Sequence, residues 1–423
     1  MSLISQAKLF GHTRKDISQE EASINAQLLT RAGFIEKNMA GVYSYLPLGL
    51  RVLRKIENVI REEMNRLGGQ EILMPVLQNK EVWSQTGRWQ DSMGGVMYKF
   101  KDSGGHEFGL GPTHEEVVVD LLKRHVKSYK DLPLYIYQIQ DKFRDEPRAK
   151  SGLLRGREFI MKDLYSFTAT KDESDSFYQK AQTAYFKVFE RLGLKAILVE
   201  ASGGSMSKKH SHEFMAVTKA GEDTTVFCSA CHWAQNKEIA SVQAGDACPN
   251  CGQPLLQEKT VELGNIFDQE TYYTEKLGAT YTAADGSVQP IYMGAYGIGV
   301  GRAMGTVVEA SHDDKGIIWP DEITPADIHL ILLSEDTKVA AIGQGLAQKL
   351  ATKYEVLLDD RISSVGAKLA DADLIGIPIQ LIVGPKVMPQ VEWKQRHDGV
   401  VTVVSPDEVM ALADKYYVQK DIR

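Results

Sequence analysis

The sequence predicts an α+β fold, an antiparallel sheet flanked by helices, followed by a separate α/β domain. Three observations lead there. Leu53, Ile56, Ile60, Met64 and Leu67 recur at spacings of one helical face and run into a short β-prone stretch, QEILMP. PLYIYQIQDKF and REFIMKDLYSF alternate like two strands on either side of a loop, PRAKSGLLRG. From Ala326 onward IHLILL, YEVLLDD and IQLIVG are separated by helical stretches, the alternation of an α/β domain.

The first helix stops at Gly68 and Gly69, and Pro75 closes the strand that follows. A second helix is expected near Thr113, where THEE offers a capping box, the Thr113 hydroxyl accepting from the Glu116 N–H and the Glu116 carboxylate reaching back. IIWPDEITP, with two prolines, reads as a linker. Beyond it, AAIGQGLAQKLATK and VGAKLADADLIG read as helices, VVTVVS as a strand, and a terminal helix ends the chain. The expected domains are a catalytic part over 1–223, a cysteine insertion over 224–258, a second catalytic part over 259–325, and a C-terminal domain over 326–423.

Composition narrows the class. The chain has 423 residues, 43% hydrophobic and 25% charged, enough for two or three cores in a globular protein. No apolar run approaches the ~18 residues a membrane span needs. The start, MSLISQAKLFGHTRKD, is basic and acid-poor, as transit peptides are, but lacks the ~7-residue apolar core of a secretory signal. A cytoplasmic protein with no membrane partner is expected. No repeat or low-complexity tract occurs.

All four cysteines lie in one segment, Cys228 and Cys231 followed by Cys248 and Cys251, in the pattern C-x2-C-x16-C-x2-C. Each C-x2-C turn presents two thiolates to one tetrahedral ion, and the intervening arm folds back to complete a closed, structural Zn2+ site. Redox pairs or ordinary buried cysteines share this composition, and His232 next to Cys231 is an alternative ligand. His210 and His212 form an H-x-H without a third ligand nearby.

Charge supplies the functional question. The formal net charge is −7, yet Lys123 to Lys162 holds 11 Lys and Arg against 5 Asp and Glu. A solvated charged hairpin is one reading of this surplus, and an anionic partner the other. The order of residues favours the second. Phe143-Arg144-Asp145-Glu146 on a strand is followed by Arg155 and Phe159, and later by GAYGIGVGRAMG containing Arg302. That order suits bent ATP: Arg144 on the α-phosphate, Arg155 and Arg302 on the outer phosphates, and Phe159 on the adenine. Catalysis would be positioning and charge stabilisation at phosphorus, assisted by Mg2+.

The helix and strand ending at Pro75, the FRDE hairpin and GIGVGR resemble motifs 1, 2 and 3 of the class II aminoacyl-tRNA synthetases, in order. GVYSYLPLGLRVLRKIENVIREEM, GPTHEE, QIQDKFRDEPRAKSGLLRGREFIMKDLYSF, SHEF and LLDDR with DADLIGIP resemble bacterial-type prolyl-tRNA synthetase, over about residues 5 to 420. The resemblance implies a synthetase that makes prolyl-adenylate from L-proline and ATP and transfers the prolyl group to its tRNA. It implies a zinc-ribbon-like insertion, a C-terminal anticodon-binding domain and a homodimer. It further implies that Thr113, Glu115 and Arg144 contact proline, with His212 near the ring. A secondary ammonium has two N–H donors for a carboxylate and a hydroxyl, and Arg144 can meet the substrate carboxylate. By residue type alone Glu115 equally suits an exposed first-turn glutamate. For ATP the resemblance implies Arg144, Glu146, Arg155, Phe159, Glu262 and Arg302, with Glu262 near magnesium.

Two departures matter. Between motifs 2 and 3 the family often carries a large domain that hydrolyses alanyl-tRNA, and this chain has only the cysteine segment there. IFDQETYYTEK also differs from the usual IFQLGTKYSE. Absence of editing in this chain and a trans-acting deacylase as partner are the expectations. Ala326 to Arg423 has 11 basic and 14 acidic residues, so anticodon reading is expected to rest on placed contacts. The alternative function is a catalytically silent regulatory or RNA-binding relative of the fold. Retention of Arg144, Glu146, Phe159 and Arg302 together argues against it.

Overall fold

The structure, a computed structural model, describes residues 2–16, 23–90, 95–147, 149, 151–203 and 211–421. Arg148, Lys150 and His210 lie outside the described residues. The chain divides into two compact units, one of Lys37–Tyr43 with Ile56–Ala310, the other of Met1–Glu36, Ser44–Lys55 and Ser311–Arg423.

The first unit is built on a nine-stranded sheet. At its centre Leu134–Phe143 pairs antiparallel with Glu158–Thr168, as expected, and Glu158–Thr168 pairs with Tyr292–Gly299, which pairs with Leu256–Glu270. These four strands carry the arginine hairpin, the segment VELGNIF and the glycine-rich segment side by side. The expected strand at QEILMP is only Gln70–Glu71, parallel to Leu134–Phe143, although the Ile72 N–H still donates to the Tyr137 carbonyl. The helix Pro47–Arg66 before it belongs to this unit from Ile56 on, where it buries Ile56, Ile60 and Met64, and Gly68, at φ 83°, turns the chain away from the helical path.

Alternation along the strands divides the packing between two faces. The helix Lys171–Arg191 starts in a capping box of Thr170 and Glu173. It presents Phe177 to Tyr135, ring centroids 3.9 Å apart, and to Tyr296 at 5.5 Å. On the opposite face, Ile136, Tyr165 and Phe167 join Val118, Val119 and Leu122 of the helix Glu115–His125 in another core. The cysteine segment adds Asp223–Phe227 and Ala234–Asn236 to the same sheet.

In the second unit Val356–Asp359, Ile328–Leu332 and Ile379–Val383 are parallel, followed by antiparallel Val391–Gln395 and Val401–Val404. Helices Thr337–Leu350, Val365–Ile375 and Val409–Asp421 complete the expected α/β alternation. Two features differ from expectation. Leu3–Ser5 forms an edge strand of this sheet, parallel to Val356–Asp359, with the Ser5 hydroxyl donating to Asp360 at 2.6 Å. The stretch IIWPDEITP is packed rather than a free linker: Ile317, Trp319 and Ile323 are buried, and Trp319 Nε1 donates to the Ile375 carbonyl at 2.9 Å. Among the described residues no helix is long and apolar enough to cross a membrane.

Candidate active site

Arg144 follows directly on the first central strand, and its Nε and Nη2 donate to the Pro112 carbonyl at 3.4 and 3.3 Å. That contact ties the arginine hairpin to GPTHEE, which lies far from it in sequence. The expected capping box is absent. His114 is the N-cap residue and makes no side-chain cap. The Thr113 hydroxyl donates instead to Glu115 Oε2 at 2.7 Å, and the Glu116 carboxylate is taken by Thr86 and Arg88. Burial explains the difference: Glu116 is fully inside the protein, where an ionic partner outweighs a cap open to water.

Thr113, Glu115, Arg144 and Phe159 line a cleft of about 200 Å³ together with Glu262 and Arg302. Asp163 and Tyr165 also line it. Asp163 pairs with Lys142 Nζ at 2.8 Å and accepts from Gln138 and the Tyr165 hydroxyl, each at 2.9 Å. Burial opposes the Asp163 charge, but Lys142 and His114 together with these donors hold its carboxyl below the ordinary value.

A second cleft, of about 230 Å³, opens beside the first and holds Arg144, Glu146, Arg155, Glu222, Glu262 and Arg302 among its lining. Arg155 donates to Glu146 at 3.0 and 2.8 Å and to Glu222 at 2.7 Å. Arg302 lies in the first turn of the helix Val300–Ala310, which follows its strand directly, and donates to the Leu154 carbonyl at 2.9 Å and to the Glu262 carboxylate at 3.1 Å. Burial and the nearby Arg302 charge push the Arg144 guanidinium below its ordinary value, a like-charge strain that a bound anion relieves. The Arg144 guanidinium lies 5.2 Å from the Phe159 ring centroid. The glycine of VELGNIF is required by close approach, since a Cβ at Gly264 would lie 2.8 Å from the Gly297 carbonyl oxygen.

The residues near Glu262 suit a hard cation. Asp223 lines the second cleft, and burial together with the Glu262 charge raises its carboxyl. Oxygen donors held against mutual repulsion fit a divalent ion such as magnesium. The four cysteine Sγ atoms lie within 4.8 Å of one another, an arrangement able to hold one metal ion. His232 is exposed, with φ 60°. His212 is apart from these clefts, its Nδ1 2.8 Å from the Tyr178 hydroxyl.

Residues that sequence reasoning missed are Asp163, Lys142, Tyr165 and Arg88. Lys142 and Asp163 sit inside runs read as strands, and nothing in the runs distinguishes them from solvated neighbours. Arg88 follows Gly87 in a stretch without periodicity.

Residues 98–311 match the tRNA synthetase class II core domain (G, H, P, S and T), and residues 327–415 match the anticodon binding domain. A proline–tRNA ligase of Rhodospirillum rubrum is 42% identical over 424 positions, covering 94% of this chain and 97% of that protein. One from Moorella thermoacetica is 34% identical over 546 positions, covering 93% of this chain and 95% of that protein. That alignment is longer than this chain of 423 residues, so the Moorella protein has residues with no counterpart here. Giardia lamblia prolyl-tRNA synthetase, solved in complex with prolyl-adenylate, shares the fold, with TM-score 0.76 and 19% identity over 92% of this chain and 75% of that one. With its arginine hairpin and glycine-rich helix start on adjacent strands, and with relatives aligned over nearly its whole length, the chain belongs to the prolyl-tRNA synthetases, class II ligases that join proline to its tRNA.

Proposed function

We propose that Thr113, Glu115 and Arg144 hold L-proline and that Arg144, Glu146, Arg155, Phe159 and Arg302 hold ATP in the two adjoining clefts. The observation that carries this reading is the position of Arg144, which lines both clefts. Glu115 and the Thr113 hydroxyl oxygen accept the two N–H groups of the ring nitrogen, while Arg144 faces the proline carboxylate. The carboxylate oxygen attacks the α-phosphorus in line, the bond to the bridging oxygen breaks, and pyrophosphate leaves. Arg144 stabilises the charge on the five-coordinate phosphorus, and Arg155 and Arg302 draw off the charge of the leaving group. The 3′-terminal hydroxyl of the tRNA then attacks the prolyl carbonyl and AMP leaves. Glu262 with Asp223 would hold Mg2+, which supplies charge neutralisation at the phosphates. His212 lines neither cleft and would act on the proline-ring side only indirectly, through Tyr178, whose ring lies 6.1 Å from Tyr296 of the first cleft.

The finer assignments follow the same reading. Cys228, Cys231, Cys248 and Cys251 bind a structural Zn2+, because four clustered sulfurs suit this ion and leave no open position. The chain acts as a homodimer in the cytoplasm, lacks its own editing site for alanyl-tRNA and relies on a separate deacylase. The test of the core assignment is proline-dependent ATP–pyrophosphate exchange. Arg144→Ala is expected to lose at least about a hundredfold, since a charge-assisted transition-state contact is worth about 2.7–4 kcal/mol, with folding retained by circular dichroism. Undiminished exchange removes Arg144 from the mechanism.

A further inference from the structure

Arg88 is buried beside the proposed proline site without lining it. Its guanidinium carbon lies 5.0 Å from the Trp83 ring centroid and 5.3 Å from that of Tyr273. Nη1 donates to both oxygens of Glu116, at 3.0 and 3.1 Å, and lies 3.5 Å from Glu115 Oε2. That Glu115 oxygen is also the acceptor for the Thr113 hydroxyl. Thr86 completes the shell of Glu116 with a 2.8 Å hydrogen bond to Oε1. Arg88, Glu115 and Glu116 are all at least 98% buried.

Two adjacent carboxylates therefore share one guanidinium out of water. Glu116 is turned away from the cleft by its bonds to Arg88 and Thr86, whereas Glu115 faces the cleft. Building on the proline site proposed above, we infer that Arg88 is a positioning and specificity residue. It fixes Glu115 in aim, and the trio of Arg88, Glu115 and Glu116 holds one unbalanced negative charge that selects an amino-acid nitrogen carrying positive charge.

The packing around Glu116 supports this arrangement. Arg88 and the Thr86 hydroxyl face it from the end of the helix Lys80–Thr86, the Tyr273 phenol from the helix Tyr272–Leu277, and Glu115 from its own helix. Burial and the Glu115 charge push the Glu116 carboxyl up to about 7 even with Arg88 bonded to it. A site short of one cation behaves in this way, and the ring ammonium supplies that cation. An uncharged isostere would leave the deficit in place.

The test uses the full-length protein at pH 8, above the raised Glu116 value. The probes are proline and tetrahydrofuran-2-carboxylate, which keeps the ring and carboxylate but has an ether oxygen in place of the nitrogen. Pyrophosphate exchange gives KM for proline and ATP, and competition gives the inhibition constant of the ether. Glu116→Gln should raise KM for proline about tenfold or more, leave KM for ATP within about twofold, and shift the ether constant less than about twofold. Selectivity for the charged ring nitrogen then falls. Arg88→Lys keeps the charge but loses the fork, and should also raise KM for proline about tenfold with KM for ATP unchanged. Should Arg88→Lys fail to fold, the isosteric Glu116→Gln decides alone. Unchanged selectivity in the folded variants overturns the inference. Glu115→Gln separates the two levels: if it leaves KM for proline unchanged, the proline-site reading itself fails. If it raises that KM while Glu116→Gln preserves selectivity, only the role given to Arg88 and Glu116 fails.

Discussion

Lys142 and Asp163 form a buried ion pair on neighbouring strands, with Asp163 in the wall of the first cleft. Removing one charge from such a pair leaves the other in low dielectric without compensation. Asp163→Asn is therefore expected to cost about 3–5 kcal/mol, read as a lower urea midpoint with an unchanged slope. The sign with pH follows from the lowered Asp163 carboxyl. Its stabilisation is fully present above the unfolded-chain value near ~4 and is lost as pH falls through the lower native value, and the variant should lose this acid-side dependence. Because Asp163 also accepts from Tyr165 in the cleft wall, the same change should raise KM for proline more than KM for ATP.

A single element, the strand Leu256–Glu270, connects the cysteine cluster to both clefts. It leaves the cysteine segment at Leu256, places Glu262 at the junction of the clefts, and carries Asn265 and Phe267 into the first. Its partner Asp223–Phe227 leads into Cys228. The segment between these strands has a small apolar core of Val226, Cys228, Cys248 and Leu255, too little surface to order so many residues without a cross-link. Elemental analysis should find about one zinc per chain. Cys228→Ser with Cys248→Ser should abolish it, lower the melting temperature and open residues 229–254 to proteolysis before the rest of the sheet. Zinc retained in that double variant excludes the site.

For the molecule as a whole, the prediction concerns fidelity. A pocket shaped for proline can take alanine, which has two or so fewer methylenes, each worth ~1–3 kcal/mol of discrimination by the pocket alone. The segment Thr224–Glu258 is short and carries its own thiol cluster and small core, and we expect no second hydrolytic pocket in it. We expect measurable alanine-dependent pyrophosphate exchange and, with pre-formed alanyl-tRNA for proline, hydrolysis no faster than without enzyme. Faster hydrolysis places an editing site in this chain.

What the sequence by itself determined was what periodicity and motif spacing carry. The two central strands, the glycine-rich helix start and the paired C-x2-C turns are written in periodicity and spacing, and the structure has them where their patterns lie. Arg144, Arg155 and Arg302 were legible for the same reason, as unusual charges at fixed places in those patterns. Tertiary structure alone decided the partners. Glu116 bonds Arg88, 28 residues away, and so forgoes the cap that its own tetrapeptide offers. The strand Leu3–Ser5 is too short to show a period and exists because the edge of Val356–Asp359 accepts it. Periodicity reports which face a residue turns inward, whereas the charge that meets it there is set by sheet register and burial, which join distant segments only in the folded chain.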